Sequence, residues 1–240
     1  MSRFYQSNKI SMKLKVCGMK YGENIKQIAN LQPDYMGFIF YERSKRNFEG
    51  ILPEIPKSIK KTGVFVNEYV EIVISLVEEY NLEAIQLHGD ESEEYIINLK
   101  AQLDLRKALF IKENKLQKKK INKHIISNVK VEIIKVFAIN NEFDFQLLHP
   151  YLNYVDYFLF DAKGKERGGN GTKFDWSILH KYNFDKPFFL SGGIGLEDSN
   201  EIVKIIDSNL PIYALDINSK FEIEPGLKNI NQVKIFKKTL

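Results

Sequence analysis

Cysteine is almost missing from this chain: Cys17 is the only one in 240 residues. No intramolecular disulfide can form, which excludes a disulfide-stapled secreted domain. Proline is sparse, at seven residues, and no stretch rich in Pro, Gly or Ser divides the sequence. One large domain is therefore expected. No apolar run approaches the roughly eighteen residues a membrane helix needs. Residues 1–11 are polar and lack a signal-like apolar stretch, so they read as a flexible extension, with Met12 an alternative start and a single domain over 12–240. Together these absences predict a cytoplasmic chain that does not touch membrane. A large excess of one charge is missing too. Thirty-five Lys and Arg face 31 Asp and Glu, a net charge of +4. That is too little to indicate nucleic acid, yet it suits an anionic metabolite. The run Lys118-Lys119-Lys120 reads as a solvated face.

What is present is a series of short apolar runs at regular intervals. The predicted strands are Lys13–Val16, Tyr35–Phe40, Thr62–Val66, Ala84–Leu87, Glu132–Ala138, Tyr157–Phe160, Pro187–Leu190 and Ile212–Ile217. Most are continuous rather than alternating, as in parallel strands covered on both faces. The segments between them read as helices. Ile25, Ile28 and Ala29 share one helical face, as do Val70, Val73, Ile74 and Val77, then Ile202, Ile205 and Ile206, then Ile230, Val233 and Phe236. Strand–helix repeats imply right-handed crossovers and a parallel sheet. Eight of them in this length fit an α/β fold of the (βα)8 barrel type better than a doubly wound sheet. The interval from Leu87 to Glu132 is too long for one crossover. Leu103–Asn128 therefore reads as an insertion between strands four and five, within which Ala108–Ile111 is a ninth strand candidate.

In such a barrel the carboxyl ends of the strands gather on one rim, where the chemistry of these folds sits. Cys17 ends the first strand and Asp161 the sixth, which puts a thiol and a carboxyl on one mouth. His88 ends the fourth, and suits a polar lining role better than a metal site. His124, His149 and His180 have no ligand-like spacing. Ser44-Lys45-Arg46 follows the second strand, where Arg46 could clamp a carboxylate with its planar fork. Glycines follow several strands: Gly18, Gly89, Gly168-Gly169-Asn170-Gly171, and Ser191-Gly192-Gly193-Ile194-Gly195. Loops after strands seven and eight commonly bind phosphate through backbone N–H groups. Ser191-Gly192-Gly193 and Asp216-Ile217-Asn218-Ser219 hold those places. Trp176 is expected to seat the sixth helix on the barrel.

These blocks, in this order, resemble the phosphoribosylanthranilate isomerase family of tryptophan biosynthesis. The match runs through Lys15-Val16-Cys17-Gly18-Met19, Gly37-Phe38-Ile39-Phe40-Tyr41, Gly63-Val64-Phe65-Val66-Asn67, Gln86-Leu87-His88-Gly89, Asp161, Phe174-Asp175-Trp176, Leu190-Ser191-Gly192-Gly193-Ile194 and Glu224-Pro225-Gly226. It covers nearly everything from Lys13 onward. By this resemblance Cys17 is the general base, Asp161 the general acid and Arg46 the holder of the anthranilate carboxylate. Gly192, Gly193, Asn218 and Ser219 bind phosphate, while His88, Gly169 and Asp216 line the pocket. Three places depart from the family pattern: Lys220 follows Asn218-Ser219, the common lysine of the sixth loop has shifted to Lys173, and Asn229 replaces an aspartate.

The implied reaction is an Amadori rearrangement of N-(5-phosphoribosyl)anthranilate, with no metal and no organic cofactor. An acid opens the ribose ring and a base then removes a carbon-bound proton. A free thiol with a pKa of about 8.5 is only a few per cent ionised at neutrality, and the sequence shows nothing that favours the thiolate. Two alternatives stand beside it: the histidine-pathway aminoaldose isomerase, similar in fold and reaction but with an aspartate where Cys17 stands, and a non-catalytic phosphosugar-binding barrel, against which intact Cys17, Asp161 and Arg46 argue. The resemblance leaves association with another tryptophan-pathway enzyme open.

Overall fold

The structure, a computed structural model, describes residues 12–116, 130–162 and 174–240. Eight parallel strands close into a barrel in sequence order. They are β1 (Lys13–Val16), β2 (Tyr35–Phe40), β3 (Lys60–Phe65), β4 (Ala84–Leu87), β5 (Glu132–Ile139), β6 (Tyr157–Ala162), β7 (Phe188–Leu190) and β8 (Ile212–Ile217). Closure comes from β1 pairing with β8, in the register Lys15 to Asp216. Among the described residues, five α-helices lie outside it: α1 (Gly22–Asn30), α2 (Val70–Tyr80), α3 (Glu93–Leu116), α4 (Ser199–Ile206) and α5 (Ile230–Lys237). The expected apolar faces all turn inward, with Ile25, Ile28, Val73, Ile74, Ile202 and Val233 buried.

In three crossovers expected to be helical the described residues form no α-helix. Residues 41–59 between β2 and β3 form turns and irregular backbone. Gly50, Pro53 and Pro56 interrupt any helix there, since proline lacks the N–H a helix interior needs. Phe145–Tyr151 and Trp176–Lys181 are single 3-10 stretches, the first with Pro150 inside it. Trp176 is buried as expected, but on a 3-10 turn. The ninth strand candidate, Ala108–Ile111, lies within the 24-residue α3. Its neighbours are Lys, Arg, Leu, Gln and Glu, which lose little freedom in a helix. The first part of the insertion therefore lengthens a helix beside α2, with Arg106 near Glu78. The extension 1–11, the lysine run 118–120, His124 and Gly168–Gly171 lie outside the described residues.

Side chains alternate across each strand, and this alternation builds the barrel interior. Tyr35, Ala84, Ile134, Val136, Leu159, Phe189 and Ala214 form an inner cluster separate from the larger core between strands and helices. Its lower end is aromatic: the rings of Tyr35, Tyr157, Phe189 and Tyr213 contact one another edge-on or stacked. Two residues up from Tyr157 is Leu159, and two further is Asp161. The same step leads from Lys15 to Cys17, from Gln86 to His88 and from Ala214 to Asp216. Period two thus carries the chemistry-bearing residues to the upper rim.

One buried ion pair shapes that rim. Lys135 of β5 reaches Glu91 at 3.0 Å and the Gly89 carbonyl at 2.8 Å. Glu91 also accepts from the backbone N–H groups of Asn67 and Gly89. It therefore ties the loops after β3 and β4 together beside His88. Removing one partner of a buried pair strands the other charge. Glu91→Gln should lower unfolding free energy by about 3–5 kcal/mol in urea titration; a loss under about 1 kcal/mol, the scale of an exposed pair, would contradict this reading.

Candidate active site

The carboxyl ends of the strands surround a cavity of about 70 Å³. Cys17, Arg46, His88, Asp161, Gly192, Gly193, Asp216, Asn218 and Ser219 all line it. Every expected site residue except Gly169, which lies outside the described residues, therefore faces one space. Ile39, Val64, Val66 and Ile194 add apolar wall.

Cys17 follows β1 and is held by its own N–H, which donates to the Ile217 carbonyl at 2.9 Å. The thiol is buried but borders the cavity. Room for it comes from Gly37 of β2: a Cβ there would lie 2.7 Å from the sulfur. Beneath the thiol, on the same strand face, is Lys15, with no exposed surface. Its ammonium donates to Asp216 Oδ2 and to Gln86 Oε1, each at 2.7 Å. Burial alone would discharge Lys15, but the neighbouring Asp216 and Cys17 reverse that and hold it above its ordinary pKa. Burial pushes the Cys17 thiol up, and Asp216 adds to this; Lys15 and Lys228 pull against it without cancelling it.

Asp161 sits across the mouth, near the end of β6. Its Oδ1 accepts from the Ala162 N–H at 2.9 Å, with Ser191 Oγ at 3.4 Å. Its Oδ2 lies 3.5 Å from His88 Nε2. Asp216 has one oxygen on Lys15, while its buried Oδ1 has no hydrogen-bond partner among the described residues. Gly192 and Gly193 both take positive φ, +92° and +65°. That conformation is open to glycine without strain.

Arg46 is already half engaged. Nε and Nη2 donate to Glu222, at 3.0 and 2.7 Å to Oε2. Glu222 belongs to a short hairpin after β8, formed by β9 (Glu222–Glu224) and β10 (Leu227–Lys228). The buried Lys228 donates from β10 to Glu222 Oε1 and Asn218 Oδ1, each at 2.6 Å. Burial drives Lys228 down to about 8 despite Glu222. Burial raises Glu222, but hydrogen bonds from Arg46 and the charge of Lys228 prevail and hold it below the usual carboxylate range.

Four contributors were not singled out as site residues from the sequence: Lys15, Gln86, Glu222 and Lys228. For the first two a signal existed, since a lysine or glutamine inside a buried apolar strand needs a partner. For Glu222 and Lys228 there was none, because they act through a hairpin folded back over the mouth.

Among the described residues no group of His, Cys, Asp and Glu could hold a metal ion, and no helix is long and apolar enough to cross a membrane. The family model for N-(5'-phosphoribosyl)anthranilate isomerase matches residues 14–128 and 117–239. A protein of that name from Parabacteroides distasonis is 39% identical over 232 residues, covering 94% of this chain and 91% of that one. The crystal structure of phosphoribosyl anthranilate isomerase from Thermotoga maritima superposes with a TM-score of 0.70 at 27% identity, covering 95% of this chain and 98% of that one. A phosphoribosyl anthranilate isomerase in complex with reduced 1-(o-carboxyphenylamino)-1-deoxyribulose 5-phosphate superposes with a TM-score of 0.68 at 26% identity, over 95% and 97% of the two chains.

The upward push on Cys17 gives a direct expectation. As the only cysteine, it can be titrated by ultraviolet thiolate absorbance. That signal should be absent at neutral pH and rise only above the ordinary thiol range of about 8.5. A thiolate already formed at neutrality would show that Lys15 outweighs burial.

Proposed function

This chain belongs to the phosphoribosylanthranilate isomerase family, and on that premise we propose that Cys17 and Asp161 divide between them the two proton transfers of its Amadori rearrangement. The reaction converts N-(5-phosphoribosyl)anthranilate into 1-(2-carboxyphenylamino)-1-deoxyribulose 5-phosphate. The observation that carries the assignment is that the thiol and the carboxyl border one cavity from opposite strands of the barrel, β1 and β6.

Asp161 begins as the acid. It gives its proton to the ribose ring oxygen as the bond from that oxygen to the anomeric carbon breaks. Nitrogen lone-pair density forms the C=N bond, leaving a cationic imine. The cation acidifies the hydrogen on the adjacent sugar carbon. Cys17, as thiolate, takes that hydrogen as a proton, and the electron pair returns through the carbon chain to nitrogen. The resulting enolamine then tautomerises to the ketone: a proton from solvent adds at the former anomeric carbon as the hydroxyl on the adjacent carbon gives one up, and Cys17 and Asp161 recover their starting protonation by exchange with solvent. A thiol protonated in the resting protein needs a push toward the thiolate. The iminium charge formed beside it supplies one, added to the ammonium of Lys15. Asp216 Oδ1, an acceptor with no partner among the described residues, receives a donor of the substrate.

Binding divides along the mouth. The backbone turn at Gly192 and Gly193, with Asn218 and Ser219 opposite, suits a phosphate, which accepts hydrogen bonds from clustered N–H groups. Arg46, oriented by Glu222, keeps Nη1 for the anthranilate carboxylate. The complex of the structural relative with a reduced product analogue supports a small phosphorylated ligand in this place. Gly169 as a lining residue, a cytoplasmic site of action and association with a second tryptophan-pathway enzyme belong to the same proposal and rest on resemblance.

Turnover with freshly prepared phosphoribosylanthranilate tests the roles. Cys17→Ser and Asp161→Asn should each lower kcat by at least about 100-fold, with an unchanged circular dichroism spectrum. Near-wild-type turnover in either variant rejects its assignment. Arg46→Lys, which keeps the charge but loses the fork, should raise KM about 10-fold or more while leaving kcat within about 3-fold. A fall in kcat at constant KM would move Arg46 from binding into the chemical step.

A further inference from the structure

The mouth contains a chain of polar groups that the two proton transfers do not use. It runs from Asp216 through Lys15 and Gln86 to His88 and ends at Asp161, crossing the barrel from β8 to β6. Lys15 Nζ is 2.7 Å from Gln86 Oε1, Gln86 Nε2 is 3.1 Å from His88 Nδ1, and His88 Nε2 is 3.5 Å from Asp161 Oδ2. Lys15 and Gln86 are almost fully buried, at 0% and 1% exposure.

The order of donors in this chain is forced. An ammonium has only donors, so the group facing Lys15 must be the carboxamide oxygen of Gln86. The Gln86 amide nitrogen, also a pure donor, then faces His88 Nδ1. That ring nitrogen must accept, and the remaining proton of the neutral imidazole resides on Nε2, the nitrogen facing Asp161. Rotating the amide by half a turn would set N–H against ammonium in a site closed to water. Two buried donors without acceptors cost more than the hydrogen bonds they replace.

We propose that Gln86 is a positioning residue for the acid step: pinned by Lys15, it fixes His88 as the Nε2–H tautomer, and that N–H orients the Asp161 carboxyl toward the substrate's ring oxygen. The 3.5 Å separation belongs to the free protein, and such contacts shorten when substrate closes the site. Ala162 N–H already fixes Oδ1, and closing the His88 contact on Oδ2 would direct the reactive proton into the cavity. The same ammonium lies beneath the Cys17 thiol, so one buried charge organises both ends of the reaction.

This inference rests on the isomerase reading above, but its primary test does not. Long-range proton–nitrogen NMR of the nitrogen-labelled full chain reports which nitrogen of each imidazole carries the proton. The chain has only four histidines, and His88→Asn identifies the signal. In the wild type, without substrate, His88 should show an unprotonated Nδ1 and a protonated Nε2. A protonated Nδ1 overturns the inference even if the protein is fully active, whereas the expected tautomer in an inactive protein overturns only the isomerase reading. Gln86→Glu then inverts the relay, because a carboxylate accepts from Nδ1–H. It should move the proton onto Nδ1 and lower kcat by about 10- to 100-fold with KM within about 2-fold. Wild-type kcat in a folded Gln86→Glu protein with an inverted tautomer would show that the relay does not serve the acid. Should that variant not fold, the wild-type spectrum still decides the tautomer.

Discussion

A lysine ammonium enclosed in the middle of a barrel is the constraint on which this site depends. Lys15 has no exposed surface and is charged because Asp216 lies 2.7 Å away. Taking two charges out of water costs several kcal/mol each unless they are paired and their remaining hydrogen-bonding capacity is filled. The pair therefore dictates its surroundings. Gln86 must present oxygen to Lys15, and the strand ends above must be polar. Cys17, on the strand face above Lys15, shares its surroundings. Below this level Tyr35, Ala84, Ile134, Leu159, Phe189 and Ala214 form an apolar cluster that separates the pair from the lower end of the barrel.

A second cluster closes the rim from the other side. Arg46, Glu222 and Lys228 form a row in which a carboxylate lies between two cations. The arrangement holds the arginine fork in a fixed orientation while leaving net positive charge beside the cavity. The substrate of the reaction carries a carboxylate and a phosphate, and a mouth with fixed cations and open N–H groups matches both. The thiol is raised by burial in the free protein. Under the proposed roles it becomes the thiolate when the substrate's own imine adds a cation, which would couple base activation to ring opening.

The barrel was legible in the sequence because continuous apolar runs recur eight times, with helical faces between several of them. Four strands, β1, β2, β4 and β8, carry the expected bounds. Others shifted by a residue or two: β7 begins at Phe188, not Pro187, since Pro187 has no N–H for the ladder, and β3 starts at Lys60 because its lower end is polar. Helices were over-read between β2 and β3, where Gly50, Pro53 and Pro56 stand, and at Phe145–Tyr151, which contains Pro150. Cys17, Asp161, His88, Asp216 and Arg46 were legible as strand-end residues and do share one cavity. Glu222 and Lys228 were not, because a two-strand hairpin of two and three residues leaves no periodic signal. Nor was the relay through Gln86, because which nitrogen of the His88 imidazole carries its proton depends on a neighbour oriented by an ammonium three strands away around the barrel.

The central claim is that the thiol and the carboxyl act in separate steps, and isotope substitution separates them most directly. The substrate is deuterated at the sugar carbon beside the anomeric centre, the carbon from which Cys17 takes its proton. Turnover is compared with the unlabelled compound in wild type, Cys17→Ser and Asp161→Asn. The account requires the isotope effect to grow in Cys17→Ser, where carbon–hydrogen cleavage becomes limiting, and to collapse toward unity in Asp161→Asn, where ring opening does. The reverse pattern, or the same isotope effect in all three proteins, would contradict it.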